Sequence, residues 1–233
     1  MLPAVTTAQM VEVDRLMIEE YGIVLMQMME NVGRHLAEQV RRMLSDVRER
    51  RVVVLCGAGN NGGGGMVAAR HLHNHGANVR VKFVGNLDRL TDVPAHQHRI
   101  LQKLGLIAAD DPDLTQADLI VDALIGYGLT SNPRGAIAEW IERANKAARP
   151  ILALDTPSGL DATTGLPGSP CIRAAATMTL ALPKTGLLVP GAKPFVGDLY
   201  VADIGVPPEL YAHPSLGLTV GAIFAEDSIM RVG

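Results

Sequence analysis

The chain contains 233 residues, of which 48% are hydrophobic and 19% are charged, and its formal net charge is −3. A slightly negative net charge gives no electrostatic reason to expect binding to nucleic acid. Uninterrupted apolar runs fall well short of the roughly 20 residues that a membrane-spanning helix requires, so we expect no membrane partner either.

Residues 1–48 have the spacing of two amphipathic helices. The first begins near Thr7, carries apolar residues at positions 10, 13, 16 and 17, and ends at Gly22. The second spans residues 23–44, with apolar residues three and four positions apart. Methionines at positions 17, 26, 28 and 29 form an adaptable apolar surface, either in the core or at a subunit interface. The polar groups at 30 and 31 either reach a pocket or lie on a solvated face.

Strand-like apolar runs and amphipathic segments alternate over the rest of the chain. The predicted strands are 52–56, 79–84, 117–124, 150–154, 177–182 and 199–204. Predicted helices lie at 94–104 and 135–147, and another follows the first strand. This alternation is typical of an α/β protein whose parallel sheet is covered by helices on both faces. Because the sequence has no repeat and no linker, we predict one domain over residues 1–233.

A glycine-rich stretch follows the first predicted strand. Six of the nine residues from Gly57 to Gly65 are glycine, and helix-compatible residues resume at Met66. The pattern predicts a strand, a tight turn and then a helix N-terminus, which together suit an anionic group. We therefore interpret the turn as one wall of a nucleotide site. A standard dinucleotide site is disfavoured, because Asp88 lies late for a ribose contact, and a P-loop is disfavoured because no lysine follows the glycines.

Polar side chains also follow the third and fourth predicted strands. Asp122 ends one strand, and Asp155 and Ser158 follow the other. Ligands of parallel sheets bind at the carboxyl ends of the strands, so these residues are expected to converge with the glycine-rich stretch. Together with Asn61 they offer oxygen ligands of low charge, which suit a hard cation better than zinc. Helix capping or turn formation by the two aspartates remains the alternative.

Other candidate groups are less specific. His71, His73 and His75 resemble a metal cluster, but only the first and third share a helix face, so we do not expect a metal there. Lys184 follows a predicted strand and either meets a phosphate or reacting group or lies exposed. Cys56 and Cys171 belong to no C-x-x-C pair and the N-terminus has no signal-peptide pattern, so we expect a cytoplasmic protein with free thiols.

Several segments occur together in a characteristic order: TTAQMVEVDRLMIEEYGI, CGAGNNGGGG, VDALIGYGL, ALDTPSGLDATTG, ATMTLALPKTGL and DIGVPPEL. With these motifs the chain resembles the NAD(P)H-hydrate epimerases, the YjeF N-terminal domain family, over roughly residues 5–230. The resemblance implies a Rossmann-like α/β/α sandwich with a mostly parallel sheet behind two N-terminal helices. It also implies a homodimer that interconverts the R and S forms of hydrated NADH or NADPH. A separate ADP- or ATP-dependent dehydratase is an expected partner in the same repair pathway.

The resemblance further implies residue roles. The family's potassium ligands correspond to Asn61, Asp122 and Ser158. Its substrate contacts correspond to Asn60, Asn61, Gly62, Gly63, Gly64, Gly126, Tyr127, Gly128, Leu129, Thr130, Ser131, Asn132 and Asp155. For the reaction, we hypothesise that Asp155 is the acid/base group near the departing hydroxyl and that Lys184 assists it.

One position departs from the family pattern. The usual loop reads NNGGDG, and its aspartate corresponds to Gly64 in this chain. Tyr127 also stands where a small residue is usual. An alternative hypothesis follows, in which the chain is a non-catalytic nucleotide-binding or protein-interaction module with the same fold. The remaining site residues favour the enzyme.

Overall fold

The computed structural model describes residues 2–232. Two helices come first, α1 (Thr7–Glu19) and α2 (Leu25–Leu44), as predicted. The Thr6 side chain accepts a hydrogen bond from the Gln9 backbone N–H, and the Gln9 side-chain oxygen accepts one from the Thr6 backbone N–H. This reciprocal capping box fixes the start of α1. No helix within residues 2–232 is long and apolar enough to cross a membrane.

Seven strands form one sheet in the order β2-β1-β3-β4-β5-β6-β7. The strands are β1 (Arg51–Cys56), β2 (Asn78–Phe83), β3 (Leu119–Ala123), β4 (Ile151–Leu154), β5 (Ala176–Leu180), β6 (Asp198–Ala202) and β7 (Ile229–Val232). The first six strands are parallel to one another, and β7 pairs antiparallel with β6. The prediction of a mostly parallel sheet is confirmed. The sequence did not predict β7, which is four residues long and follows a segment without regular alternation.

The larger helices between strands are α3 (Asn60–Asn74), α4 (Asp92–Lys103) and α5 (Gly135–Lys146), and two four-residue helices, α6 (Lys193–Val196) and α7 (Pro208–Tyr211), come later. Alternate residues of β1 enter opposite cores. Val52 and Val54 pack in the core that includes residues of α1 to α4, whereas Val53 and Leu55 pack in the core of α5. The sheet is therefore the middle layer of an α/β/α sandwich, and the predicted fold class is confirmed.

The start of α3 corrects the predicted boundary of the glycine-rich turn. The helix begins at Asn60, so the four glycines from Gly62 to Gly65 lie inside it rather than in a loop. They permit close packing: a Cβ at Gly65 would lie 2.6 Å from the Cβ of Ala123, and one at Gly63 would lie 2.6 Å from the Met29 methyl carbon. Sequence propensity favours a loop here because glycine destabilises helices, but packing of α3 on β3 and α2 overrides it.

Candidate functional site

A cavity of about 430 Å³ lies where β1, β3 and β4 end. This is the expected position for a ligand in a parallel sheet. Its wall contains the predicted site residues Asn60, Asn61, Gly64, Gly126, Tyr127, Gly128, Asp155 and Lys184. Apolar residues of the two N-terminal helices complete it, namely Met10, Leu25, Met28, Met29 and Val32. The cavity thus combines an apolar wall with a few converging polar groups, as small-molecule sites commonly do.

Asp155 follows β4 directly and is only 2% exposed. Its Oδ1 accepts hydrogen bonds from Lys184 Nζ at 2.5 Å and the Thr179 hydroxyl at 3.4 Å. Its Oδ2 accepts the backbone N–H of Tyr127 at 3.1 Å. The backbone of Asp155 has a φ of 66°, an uncommon value for a residue with a side chain. The surrounding structure thus holds this carboxylate in a fixed, strained position that faces the cavity.

Lys184 is fully buried, so the alternative of an exposed lysine is wrong. Besides Asp155, its ammonium group donates to the Thr179 hydroxyl at 3.3 Å and to the Leu180 carbonyl at 2.9 Å. The backbone on either side of Lys184 pairs with Val5, which extends before α1. The N-terminal segment therefore holds the lysine beside Asp155. A buried ion pair of this kind is costly to break from one side.

Asp122 and Ser158 contact each other outside the cavity wall, and the Ser158 hydroxyl accepts the backbone N–H of Ile125, which lines the cavity. The Asp122 carboxylate accepts the Ser158 backbone N–H at 2.8 Å and the Ser158 hydroxyl at 2.6 Å. The Leu124 backbone N–H donates to it as well, at 3.2 Å. Complete burial raises the pKa of Asp122 to about 6, although the hydrogen bonds from Ser158 act in the opposite direction. This is a buried negative charge with hydrogen-bond partners but no cationic side chain among the groups that shift its pKa.

Asn61 supplies an unsatisfied polar group in the cavity wall, next to Gly126. Its amide nitrogen is buried and has no hydrogen-bond partner within residues 2–232. The side chain also lies beside Gly126, where an added Cβ would be 3.1 Å from Asn61 Oδ1 and 3.2 Å from Asp155 Oδ2. A buried amide N–H group without a partner is uncommon in proteins and calls for a hydrogen-bond acceptor, such as an oxygen atom of a ligand or of water.

Only the first part of the loop after β3 contributes to the cavity wall. Gly126, Tyr127 and Gly128 line the cavity. The predicted contacts Leu129, Thr130, Ser131 and Asn132 of the same loop are not part of this wall. Four predicted site residues from other segments also lie outside it, namely Gly62, Gly63, Asp122 and Ser158. The Asn132 side chain instead accepts the backbone N–H of Ser169 at 3.3 Å. A substrate reaching these outer residues would have to extend beyond the cavity.

Sequence reasoning missed Asp14, which is also part of the wall. This carboxylate of α1 accepts a hydrogen bond from the Tyr127 hydroxyl. Burial raises the pKa of Asp14, although the hydroxyl of Tyr127 opposes the shift. Asp14 stands on the same helical stripe as the buried residues Met10, Val13 and Met17. A carboxylate within an apolar stripe was the sequence signal that could have identified it.

The side chains around the α3 histidines bear on the metal cluster considered from the sequence. Within residues 2–232 no group of three or more His, Cys, Asp or Glu side chains is placed to hold a metal ion. His71 Nε2 lies 2.8 Å from Glu30 Oε1 of α2, so the ring takes part in packing α2 against α3.

The parallel sheet and the polar cavity at its strand ends define a Rossmann-like α/β protein. Its ligand site lies where the strand order reverses, between β1 and β3. Comparison with known proteins narrows this class. The chain belongs to the family described as YjeF-related protein N-terminus, whose profile matches residues 25–186.

Named relatives and one solved structure agree with this membership. An NAD(P)H-hydrate epimerase of Dehalogenimonas lykanthroporepellens is 43% identical, with 91% of this chain and 86% of the relative covered. An NAD(P)H-hydrate epimerase of Rhodopirellula baltica is 36% identical, with 90% of this chain and 87% of the relative covered. The bifunctional NAD(P)H-hydrate repair enzyme Nnr of Moorella thermoacetica is 42% identical over 89% of this chain but only 41% of its own length. The crystal structure of yeast ynu0 (YNL200c) has the same fold, with a TM-score of 0.83, 24% identity and coverage of 99% and 100%.

Proposed function

We propose that this protein is an isomerase that interconverts the R and S epimers of hydrated NADH and NADPH. The observation that carries the proposal is the buried Asp155 carboxylate, held by Lys184 at the wall of a cavity in a chain whose relatives are named NAD(P)H-hydrate epimerases. The N-terminus of α3 at Asn60 lies at the same cavity, where its free N–H groups suit the phosphates of a dinucleotide.

The chemistry assigned to Asp155 is proton transfer at the hydroxyl of the hydrate. That hydroxyl is attached to a ring carbon bonded to nitrogen, so the nitrogen lone pair assists its departure. Readdition of water to the other face then gives the opposite epimer. Such a reaction needs a positioned acid/base group and a ring that cannot rotate. Asp155 supplies the acid/base group, and the methionines of the apolar wall restrict rotation of the ring.

The residues present also fit a potassium ion, which we propose as a bound cofactor. Asp122 offers a buried carboxylate, Ser158 a hydroxyl and Asn61 the oxygen of its side-chain amide. Oxygen donors with one formal charge suit a hard monovalent cation. Bound there, potassium would balance the Asp122 charge and fix the two strand ends that carry it and Ser158.

We expect potassium to stabilise the protein as well as support its activity. At ten times its Kd, a ligand that binds only the folded state adds about 1.4 kcal/mol to the free energy of unfolding, which corresponds to roughly 3–6 °C in Tm for a chain of this size. Thermal unfolding in potassium against lithium, at constant ionic strength, measures the difference. Asp122→Asn and Ser158→Ala should reduce it, whereas Asp88→Asn, at an exposed position, should not. An equal Tm in both salts for the unmodified protein would contradict the potassium site.

A direct assay tests the epimerase. The purified protein is mixed with one epimer of the hydrate in ¹⁸O-labelled water, and the other epimer is followed by chromatography and mass spectrometry. Formation of the second epimer carrying ¹⁸O is the expected result, because the hydroxyl leaves and water replaces it. A rate no faster than the protein-free reaction would leave the non-catalytic alternative, for which the comparisons give no support.

We also propose a homodimer, in which the outer surface of α1 and the turn after it form the contact. Val11, Ile18, Tyr21 and Val24 are large apolar residues that lie between 43% and 53% exposed there. Exposed apolar patches of this kind commonly mark protein interfaces. Light scattering should give twice the chain mass, and Ile18→Asp should reduce it to the monomer mass. An unmodified chain that is monomeric at high concentration would contradict this proposal.

For the cellular context we propose a cytoplasmic repair pathway with a separate ADP- or ATP-dependent dehydratase. The bifunctional repair enzymes among the relatives support a second activity that acts with this one, and this chain spans about two fifths of their length. Both cysteines, Cys56 and Cys171, are buried free thiols, which is compatible with a reducing compartment.

A further inference from the structure

Asp14 is a carboxyl group of the cavity that the chemistry assigned to Asp155 leaves unused. Among residues 2–232 its side chain has one hydrogen-bond partner, the Tyr127 hydroxyl at 2.5 Å. A carboxylate shielded from water is costly unless it has partners or a role, and one neutral hydroxyl is weak compensation. Perturbed carboxyl groups in a cavity are candidates for catalysis.

Tyr127 connects Asp14 to Asp155. Its backbone N–H donates to Asp155 Oδ2 at 3.1 Å, and its hydroxyl donates to Asp14 Oδ2. Between these ends, the centroid of its ring lies 5.8 Å from Lys184 Nζ. The two carboxyl groups therefore lie at opposite ends of one tyrosine, and all three residues line the same cavity. Two carboxyl groups at separate places in one cavity can act on different faces of a bound ring, as the paired carboxyls of glycosidases do on a sugar ring.

Inversion of the hydrate requires proton transfer at both faces of the ring. The hydroxyl departs from one face and water enters at the other, so a single fixed carboxyl can serve only one of these events well. We propose that Asp14 is a second acid/base residue and that Asp14 and Asp155 transfer protons at opposite faces of the substrate ring. This inference rests on the proposed epimerase function.

The proposed step conserves atoms and charge. Protonated Asp14 gives its proton to the hydroxyl, the carbon–oxygen bond breaks, and water leaves while the nitrogen lone pair forms a C=N bond. A water molecule then adds to the opposite face, gives one proton to the Asp155 carboxylate, and returns the C=N electrons to nitrogen. One proton has moved from Asp14 to Asp155. Conversion in the opposite direction, or exchange with solvent, returns it.

The two carboxyls have different charged and polar neighbours. Asp155 is paired with the Lys184 ammonium group. For Asp14, burial raises the pKa, the Tyr127 hydroxyl and the Lys184 charge lower it, and the Asp155 charge raises it. Tyr211 of α7 is a further titratable neighbour: burial raises its pKa, and the charges of Asp203 and Asp14 add to that shift.

The test measures epimerisation from each pure epimer in ¹⁸O-labelled water across a range of pH. Because Asp14 must be protonated to act as the acid, the rate of the unmodified enzyme should fall as the pH rises through the pKa of Asp14. Asp14→Asn should lower the rate by roughly 10²-fold and abolish that decline. Tyr127→Phe should move the decline to higher pH, since it removes the hydroxyl that lowers this pKa. Glu19→Gln, at an exposed position of the same helix, should change neither.

The outcomes separate this inference from the proposed function. If the unmodified protein does not interconvert the epimers, the proposed function fails. If it does, an Asp14→Asn enzyme with the native rate, or with a reduced rate and an unchanged pH profile, overturns the role of Asp14. Should circular dichroism show that Asp14→Asn is unfolded, Tyr127→Phe decides alone: an unshifted profile overturns the inference and a shift to higher pH supports it.

Discussion

Asp155→Asn is expected to lower the rate of epimer interconversion by a factor of about 10² to 10⁴, which is the usual contribution of a positioned acid/base group. The amide keeps the size of the carboxylate and still accepts hydrogen bonds, but it cannot take or give the proton. The measurement is the initial rate from either epimer at saturating substrate, together with KM. We expect the loss in kcat rather than in KM, because the group acts on the transition state.

The same substitution also disturbs the fold, and the design must separate the two effects. Asp155→Asn leaves the Lys184 ammonium group buried and without its charge partner. Breaking a buried ion pair from one side costs about 3–5 kcal/mol. A double variant, Asp155→Asn with Lys184→Met, removes both charges and is expected to recover much of the stability. If the double variant is stable and remains inactive, the loss is chemical.

Two further results complete this experiment. Asp88→Asn, which changes an exposed carboxylate, should retain the native rate and Tm. An Asp155→Asn enzyme that equilibrates the epimers at the native rate would remove Asp155 from the mechanism. Recovery of activity in the double variant would instead show that Asp155 only neutralises Lys184.

The positions of the strand ends could be predicted from short-range sequence patterns and one general rule of parallel sheets. Apolar runs of strand length are visible in the sequence, and parallel strands in successive βα units must end on one edge. The convergence of Asp122, Asp155 and Ser158 follows from that rule alone. Their hydrogen bonds, such as Ser158 to Asp122 at 2.6 Å, belong to contacts 36 residues apart and required the structure.

The remaining features depend on tertiary contacts that no local pattern encodes. Lys184 is buried because Val5, which precedes it by 179 residues, pairs with the backbone on both sides of it. Asp14 reaches the cavity because α1 packs beside the loop that carries Tyr127. Helix α3 includes a run of glycines because residues of the neighbouring elements leave no space for side chains at those positions. In each case packing overrides the preference of the residue itself.

Gly64→Asp restores the aspartate usual in the family, yet we expect it to destabilise this protein. An added Cβ at Gly64 would lie 2.9 Å from Val32 Cγ1 and 3.1 Å from Leu154 Cδ2. Both distances are shorter than ordinary carbon–carbon contacts of 3.5–4.0 Å. Overpacking of this kind costs about 1–3 kcal/mol, which corresponds to a decrease in Tm of roughly 2–12 °C.

The consequence for function follows from the position of Gly64 at the cavity wall. Movement of α2 or α3 to admit the side chain would displace Asn61, so we expect the epimerisation rate to fall rather than rise. Thermal unfolding and rate are measured for Gly64→Asp and for Gly191→Asp, whose added Cβ meets no atom within 4 Å. Adding Val32→Ala to Gly64→Asp removes the closest contact and should recover part of the Tm.

Opposite results would show that the glycine at position 64 has weakened or abolished the activity of this chain. If Gly64→Asp is as stable as the native protein and epimerises faster, the cavity still accommodates the aspartate and the glycine weakens the enzyme. If the native chain is inactive and Gly64→Asp is active, the non-catalytic alternative is favoured. A stable native enzyme that the aspartate impairs shows instead that Val32 and Leu154 have packed around the glycine.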